Sequence, residues 1–237
     1  MAEEVTAAPV ATAYTLEFVR RSLPDGARHV LEIGCGAGEL AAALGESGLA
    51  VVAIDGDPEC IAAARGRGVD ARLIDWPAAI DGKFDAVLFT RSLHHIHELA
   101  EAVDAALAAL EPGGRVIVED FRAEGGSARS AEWFGTTIGD LTDGGLLVEG
   151  SDAAALMERI APTHDHHLHS SAAIQSALEA RCQVAATDAA YYFRYLEPWL
   201  RDHGAAQRLL EVELEQIEAG AIDPLGRRFV AVPPAGS

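Results

Sequence analysis

The apolar positions of this 237-residue chain follow two periods that alternate along its first half. Residues 30–33, 49–54, 84–89 and 116–118 form nearly unbroken apolar runs, the pattern of parallel strands covered on both faces. Residues 69–77 supply a further strand of mixed polarity. Between the runs the apolar residues fall at helical spacing. Ala13, Leu16, Phe18, Val19 and Leu23 share a broad face that Pro24-Asp25-Gly26 ends. Further helices are predicted over 40–44, from Asp57-Pro58 to about 65, and over 97–110. Asp57 there reads as a helix cap with proline at the first helical position. Beyond residue 121 helices are expected near 128–141, 152–160 and 170–180. A long helical stretch over 188–219 breaks near Pro198 and Gly204, and strands at 183–187 and 227–232 complete a sheet.

The end of the first strand carries the chemistry. Val30-Leu31-Glu32-Ile33-Gly34-Cys35-Gly36-Ala37-Gly38-Glu39-Leu40 reads as a buried strand, a glycine turn and a helix start. Such a turn lets backbone approach a ligand, and the free N–H groups beyond it favour a nucleotide-like one. The spacing narrows the choice. The dinucleotide fingerprint wants a third glycine where Glu39 stands, and a phosphate-cradling loop wants Gly-Lys-Ser/Thr, whereas the single lysine is Lys83. The turn resembles motif I of class I S-adenosylmethionine-dependent methyltransferases.

Later segments extend the resemblance in order. The second strand ends on Asp55-Gly56 and the third on Asp75-Trp76. The fourth leaves through Thr90-Arg91-Ser92-Leu93-His94-His95, like motif IV. Leu110-Glu111-Pro112-Gly113-Gly114 then resembles the family's turn into strand five. The resemblance implies a Rossmann-like α/β fold with a seven-stranded, mostly parallel sheet, helices on both faces, strand seven antiparallel and a helical cap. It implies one domain over 1–237, with core motifs in 28–121 and helical insertions at about 122–168 and 188–220. Its cofactor is S-adenosyl-L-methionine, and by position Glu32, Gly34, Cys35, Gly36, Gly38, Asp55, Gly56, Asp75, Trp76 and Thr90 contact or frame it. In that reading Asp55 accepts the ribose hydroxyls, while Asp75 and Trp76 take the adenine amine and ring. Tyr14 reads first as a core aromatic and second as a cofactor contact.

The sulfonium already activates the methyl group, so the protein chiefly aligns an acceptor and takes up its proton. His94 and His95 are the candidate bases, beside a reading in which they only shape the loop. Glu119 and Asp120 are weaker candidates. The run His164-Asp165-His166-His167-Leu168-His169 invites a metal, but no paired ligand set accompanies it, and no metal is predicted. Tyr191, Tyr192, Phe193, Tyr195 and Trp199 read as packing, with a second role as an acceptor wall.

Charge and cysteine content limit the partners. A formal net charge of −19 without a basic stripe argues against nucleic-acid substrates and for a small-molecule acceptor. Cys35, Cys60 and Cys182 form no C-x-x-C pair and suggest neither disulfides nor zinc. With no apolar leader and no run of about 18 apolar residues, a cytoplasmic protein without membrane association is expected. The apolar C-terminal helical region suits a homodimer. Two other classes stay open at this stage: a nicotinamide-dependent oxidoreductase, and a non-catalytic S-adenosylmethionine-binding partner of another subunit.

Overall fold

The computed structural model describes residues 9–122, 125–148, 153–158 and 168–234. Its sheet has seven strands: β1 (His29–Ile33), β2 (Ala50–Asp55), β3 (Asp70–Leu73), β4 (Phe84–Thr90), β5 (Leu110–Phe121), β6 (Gln183–Ala189) and β7 (Gly226–Val232). Their order is β3-β2-β1-β4-β5-β7-β6. The pairings from β3 through β5 are all parallel, Ile33 lying opposite both Ile54 and Phe89. The order reverses between β1 and β4. At such a switch point the connections leave the sheet in opposite directions and open a crevice beyond the strand ends.

Successive side chains on these strands feed two separate cores. Leu31, Ile33, Val87, Phe89, Val116 and Val118 pack with Val103 and Ala106 of α4 (Leu99–Ala108) and Ile174 and Leu178 of α7 (Ser171–Glu179). Val30, Ala86, Leu88 and Ile117 turn the other way, onto Val19 of α1 (Val10–Ser22) and Leu40 and Leu44 of α2 (Glu39–Glu46). Beside them Ala53 and Ala71 meet Ile61 and Ala64 of α3 (Pro58–Gly66). The period-2 alternation thus explains why the apolar runs have no polar face. Asp57 caps α3 as expected, its Oδ1 accepting the Glu59 N–H at 2.7 Å.

Two compact units share the chain. The sheet unit comprises Thr15–Ala123, Asp165–Thr187 and Arg227–Ser237, and the helical unit Met1–Tyr14, Glu124–His164 and Asp188–Gly226. The helical unit contains α5 (Ala128–Asp143), α6 (Ala153–Glu158), α8 (Tyr192–Leu196) and α9 (His203–Glu218). The two segments expected as insertions are therefore joined in one unit. The stretch predicted as a long helix is split into α8, a 3-10 turn at Glu197–Trp199 and α9.

Remote carboxylates supply the caps that the local sequence lacks at the starts of α1 and α8. Val10 and Ala11, at the start of α1, donate their N–H groups to the Glu197 carboxylate. Fully buried Glu213 accepts the N–H groups of Tyr191 (2.6 Å), Tyr192 (2.9 Å) and Phe193 (2.8 Å) where α8 begins. Helix starts leave N–H groups without intrahelical partners, and a buried one must find an acceptor. Tyr14 lies edge-on to Phe193 at 5.7 Å and accepts the Ala190 N–H, a packing role.

Candidate active site

The loops after β1, β2, β3 and β4 enclose a cleft of about 390 Å³ in the sheet unit. From one end to the other it is lined by Asp75 and Trp76 after β3, Asp55 and Gly56 at β2, Gly34 and Gly36 after β1, and Arg91 and Ser92 after β4. His95, Ile96 and His97 form a further part of its wall. Such a volume suits a small organic ligand or cofactor.

The three glycines of the turn have three different reasons to be glycine. All have positive φ, at 72°, 53° and 80° for Gly34, Gly36 and Gly38. A Cβ on Gly34 would lie 2.4 Å from the Ser92 Cβ, so the exits of β1 and β4 press together there, where the Ser92 hydroxyl also donates to the Ile33 carbonyl. A Cβ on Gly38 would meet Ala64 Cβ at 2.7 Å and Cα at 3.0 Å, a contact between α2 and α3. Gly36 alone among them has nothing within 4 Å of that position.

Asp55 holds the turn as well as facing the cleft. Its Oδ2 accepts the Gly36 N–H and its Oδ1 the Asp57 N–H, both at 2.9 Å. Each oxygen thereby uses one acceptor site and retains another. Gly56 lets the next acid approach, since a Cβ there would stand 2.4 Å from Asp75 Oδ1. Trp76 is fixed from behind by its Nε1–H, which donates to the Ala102 carbonyl at 3.1 Å, and by an edge contact with Phe89.

Five residues assigned to the site by sequence do not line the cleft. Glu32 is buried, accepts the Thr90 hydroxyl at 3.0 Å, and leaves Oε2 without a partner. Burial pushes its carboxyl up to about 7, against the opposing hydrogen bond from Thr90. Thr90 is buried with it. The pair therefore ties the ends of β1 and β4 together beneath the cleft rather than lining it. Cys35 is buried and its thiol is pushed up to about 12 by burial and then by Glu32 and Asp55, which disfavours the thiolate. Gly38 serves helix packing.

His94 is the fifth, only 3% exposed. Its Nδ1 stands 2.7 Å from Oδ1 of buried Asp120, out of line for a well-formed hydrogen bond, and its ring lies 4.0 Å from that of His95. Of the adjacent pair, His95 is the one that reaches the cleft. The loop carrying it is fastened by His169, whose Nε2 lies 3.0 Å from the Ile96 carbonyl and 3.1 Å from that of His97. Carbonyls only accept, so Nε2 carries the proton. The rest of the histidine-rich run, residues 164–167, lies outside the described residues. Among the described residues no cluster of His, Cys, Asp and Glu could hold a metal.

Arg91 was not singled out by the sequence, although it directly follows Thr90. It has φ 62°, the one non-glycine positive φ among the described residues. Its Nη1 lies 3.3 Å from Oε1 of Glu119, a carboxylate that also accepts the Thr15 hydroxyl at 2.6 Å and Arg228 Nε at 2.7 Å.

Comparison with known proteins now adds to this geometry. A family model described as a methyltransferase domain matches residues 9–181. Ubiquinone biosynthesis O-methyltransferases of Xylella fastidiosa and Thiobacillus denitrificans are 35% and 34% identical over 112 and 111 residues, 44% and 43% of this chain. Those matches cover 46% and 48% of the relatives, so the chain spans about half the length of the curated relatives it matches. Among solved structures, the [4+2]-cyclase SpnF is similar with a TM-score of 0.58 at 20% identity, over 94% of this chain and 82% of that one. The plantazolicin methyltransferase BpumL, in complex with a pentazolic desmethylPZN analog and S-adenosylhomocysteine, gives 0.56 at 13% identity over 94% and 83%. At these identities the structural likeness is one of fold.

Proposed function

This chain belongs to the methyltransferase-domain family, and we propose that its cleft binds S-adenosyl-L-methionine and passes the methyl group to a small-molecule acceptor. The row of groups along the cleft carries the reading. An acid and an indole stand at β3, a carboxylate with spare acceptor sites at β2, and an open glycine at β1. Asp75 and Trp76 would hold the adenine, and Asp55 the two ribose hydroxyls. Gly36 would leave room where any side chain would intrude. When bound, the cofactor supplies a methyl group on a positively charged sulfur, already activated for transfer.

The chain's own part is alignment and proton removal. Of the adjacent pair His94 and His95, His95 is the one that lines the cleft and would take the acceptor's proton. His94, whose ring lies 4.0 Å from that of His95 at a tilt of 42° and whose Nδ1 stands 2.7 Å from Asp120, would set the orientation of the His95 ring. The names of the curated relatives favour an acceptor hydroxyl, for which a base of this kind is needed. The net charge of −19 favours a small metabolite over nucleic acid. No helix among the described residues is long and apolar enough to cross a membrane, and we assign the reaction to the cytoplasm.

A fold shared with a cyclase does not select the reaction. Parallel calorimetric titrations with S-adenosylmethionine, S-adenosylhomocysteine and NAD therefore come first, followed by transfer of labelled methyl to a panel of phenolic and carboxylic small molecules. Binding of the two sulfur compounds with turnover is the expected result. Binding of NAD alone would replace the reading with an oxidoreductase. Tight cofactor binding without turnover across the panel would turn it into a regulatory subunit.

A further inference from the structure

We infer that Arg91 is the anion-binding residue of the cleft and takes the carboxylate at the amino-acid end of the cofactor. The inference rests on the reading that the cleft holds S-adenosylmethionine. Its first support is order. The strands run β3-β2-β1-β4, so Arg91 stands at the opposite end of the row from Asp75. With neighbouring strands about 4.8 Å apart, β2 and β4 are separated by about 10 Å. If adenine and ribose occupy the β3 and β2 end, the chain beyond the sulfur is directed toward β4.

The second support is charge. Among the described residues Arg91 is the one lysine or arginine that lines the cleft, and Asp55 and Asp75 lie toward its other end. Glu119 does not consume its charge. The Glu119 carboxylate accepts from Arg228 Nε at 2.7 Å and Nη2 at 2.6 Å, and from Thr15 at 2.6 Å. Arg91 reaches it only through Nη1 at 3.3 Å, longer than the 2.7–2.9 Å or so of a strong charge-assisted bond. Two guanidinium groups thus face one carboxylate, and Arg91 is the more weakly held of the two. Nε and Nη2 of Arg91 make no hydrogen bond to the described residues, and 36% of the side chain is exposed. Those two atoms form one edge of the guanidinium plane, the edge that accepts a carboxylate with two parallel bonds.

The third support is the backbone. Arg91 has φ 62° and is held there by its N–H, which donates to the Glu119 carbonyl at 2.7 Å. A left-handed conformation disfavours a side chain, and such positions gather where a ligand is bound.

A double-mutant cycle tests the pairing. Wild type and Arg91→Met are titrated with S-adenosylhomocysteine, with its analogue lacking the carboxylate, and with 5′-methylthioadenosine, which lacks the amino-acid end altogether. The variant should lose at least tenfold in affinity for S-adenosylhomocysteine and bind the other two within about threefold of wild type, with Arg91→Lys restoring part of the loss. An equal preference for the carboxylate in wild type and variant would overturn the inference. Failure of wild type to bind 5′-methylthioadenosine would identify the adenosine cleft itself as misread, and the inference would fall with it. Should Arg91→Met not fold, Arg91→Gln, which keeps a donor toward Glu119, takes its place in the cycle.

Discussion

Adding one methyl group at Gly36 separates ligand binding from folding, with the same change at Gly38 as the control. At Gly36 an alanine Cβ meets nothing within 4 Å, so the folded protein has no clash to relieve. The remaining penalty is conformational: an L side chain at φ 53° costs about 1–2 kcal/mol. For a chain of this size that lowers Tm by roughly 2–8 °C. The methyl would project into the space proposed for the cofactor, where overpacking costs about 1–3 kcal/mol, or roughly 5- to 150-fold in Kd. At Gly38 the balance is opposite. The Cβ would lie 2.7 and 3.0 Å from Ala64 atoms that belong to or adjoin a helix backbone and have no flexible side chain to give. Clash adds to the φ penalty, for a loss of about 2–5 kcal/mol in stability. Calorimetry with S-adenosylhomocysteine and thermal unfolding of both variants supply the two axes. Native affinity in Gly36→Ala would refute the placement of the ligand over that residue. Equal loss of stability in the two variants would refute the distinct roles drawn for the glycines.

Other expectations are quickly stated. Asp55→Asn should weaken S-adenosylhomocysteine by at least tenfold in calorimetry, since hydrogen bonds to a charged group contribute about 1.5–3 kcal/mol each; unchanged affinity would remove the ribose assignment. Glu213→Ala leaves three buried N–H groups without an acceptor. At about 1–3 kcal/mol for each orphan, partly offset by entering water, urea titration should show a loss of about 4 kcal/mol, and a loss under 1 kcal/mol would contradict the cap. Glu32 and Glu213 are each raised by burial from 4.5 to about 7. Their folded forms hold the proton where the unfolded chain has released it. Stability from this source is full below pH 4.5 and declines as pH rises through 7, by about 3 kcal/mol for each group. Glu32→Gln should flatten that decline between pH 5 and 8, and a wild type more stable at pH 8 than at pH 5 would oppose it. His95→Ala should lower kcat by about a hundredfold or more with cofactor affinity retained, whereas an unaltered rate would leave the proton without this acceptor.

What could be read in advance was local. The glycine turn, the acids at the tips of β2 and β3 and the capping Asp57 are determined by residues within a few positions of one another. Periodicity also distinguished strands from helices, because burial on both faces leaves an apolar run. It did not say which way each side chain turns. Glu32 and Thr90 belong to the motifs yet point to each other, and neighbouring His94 and His95 are divided between Asp120 and the cleft because a 3-10 turn at Leu93–His95 precedes the helix predicted from 97. Arg91 escaped notice because a left-handed arginine has no local signature. The caps from Glu197 and Glu213 were also hidden. Tyr191 and Pro9 offer no capping side chain, and the acceptor that replaces one comes from far along the chain in the case of α1.

The bond between Val10 and Glu197 also sets a timetable for the newborn protein, since 187 positions separate its partners. On a ribosome adding about 5–20 residues per second, the donor emerges roughly 10–40 s before its acceptor has been made. During that interval the leading turn of α1 lacks its cap, although the strands of the sheet from β1 to β5 are synthesised and free to pair. The helical unit draws on segments from both sides of that sheet in the sequence, so it can assemble only after β1 to β5 have been made. Chaperones and proteases would meet it in its open form, while the strands β1 to β4 that frame the cleft have already been made.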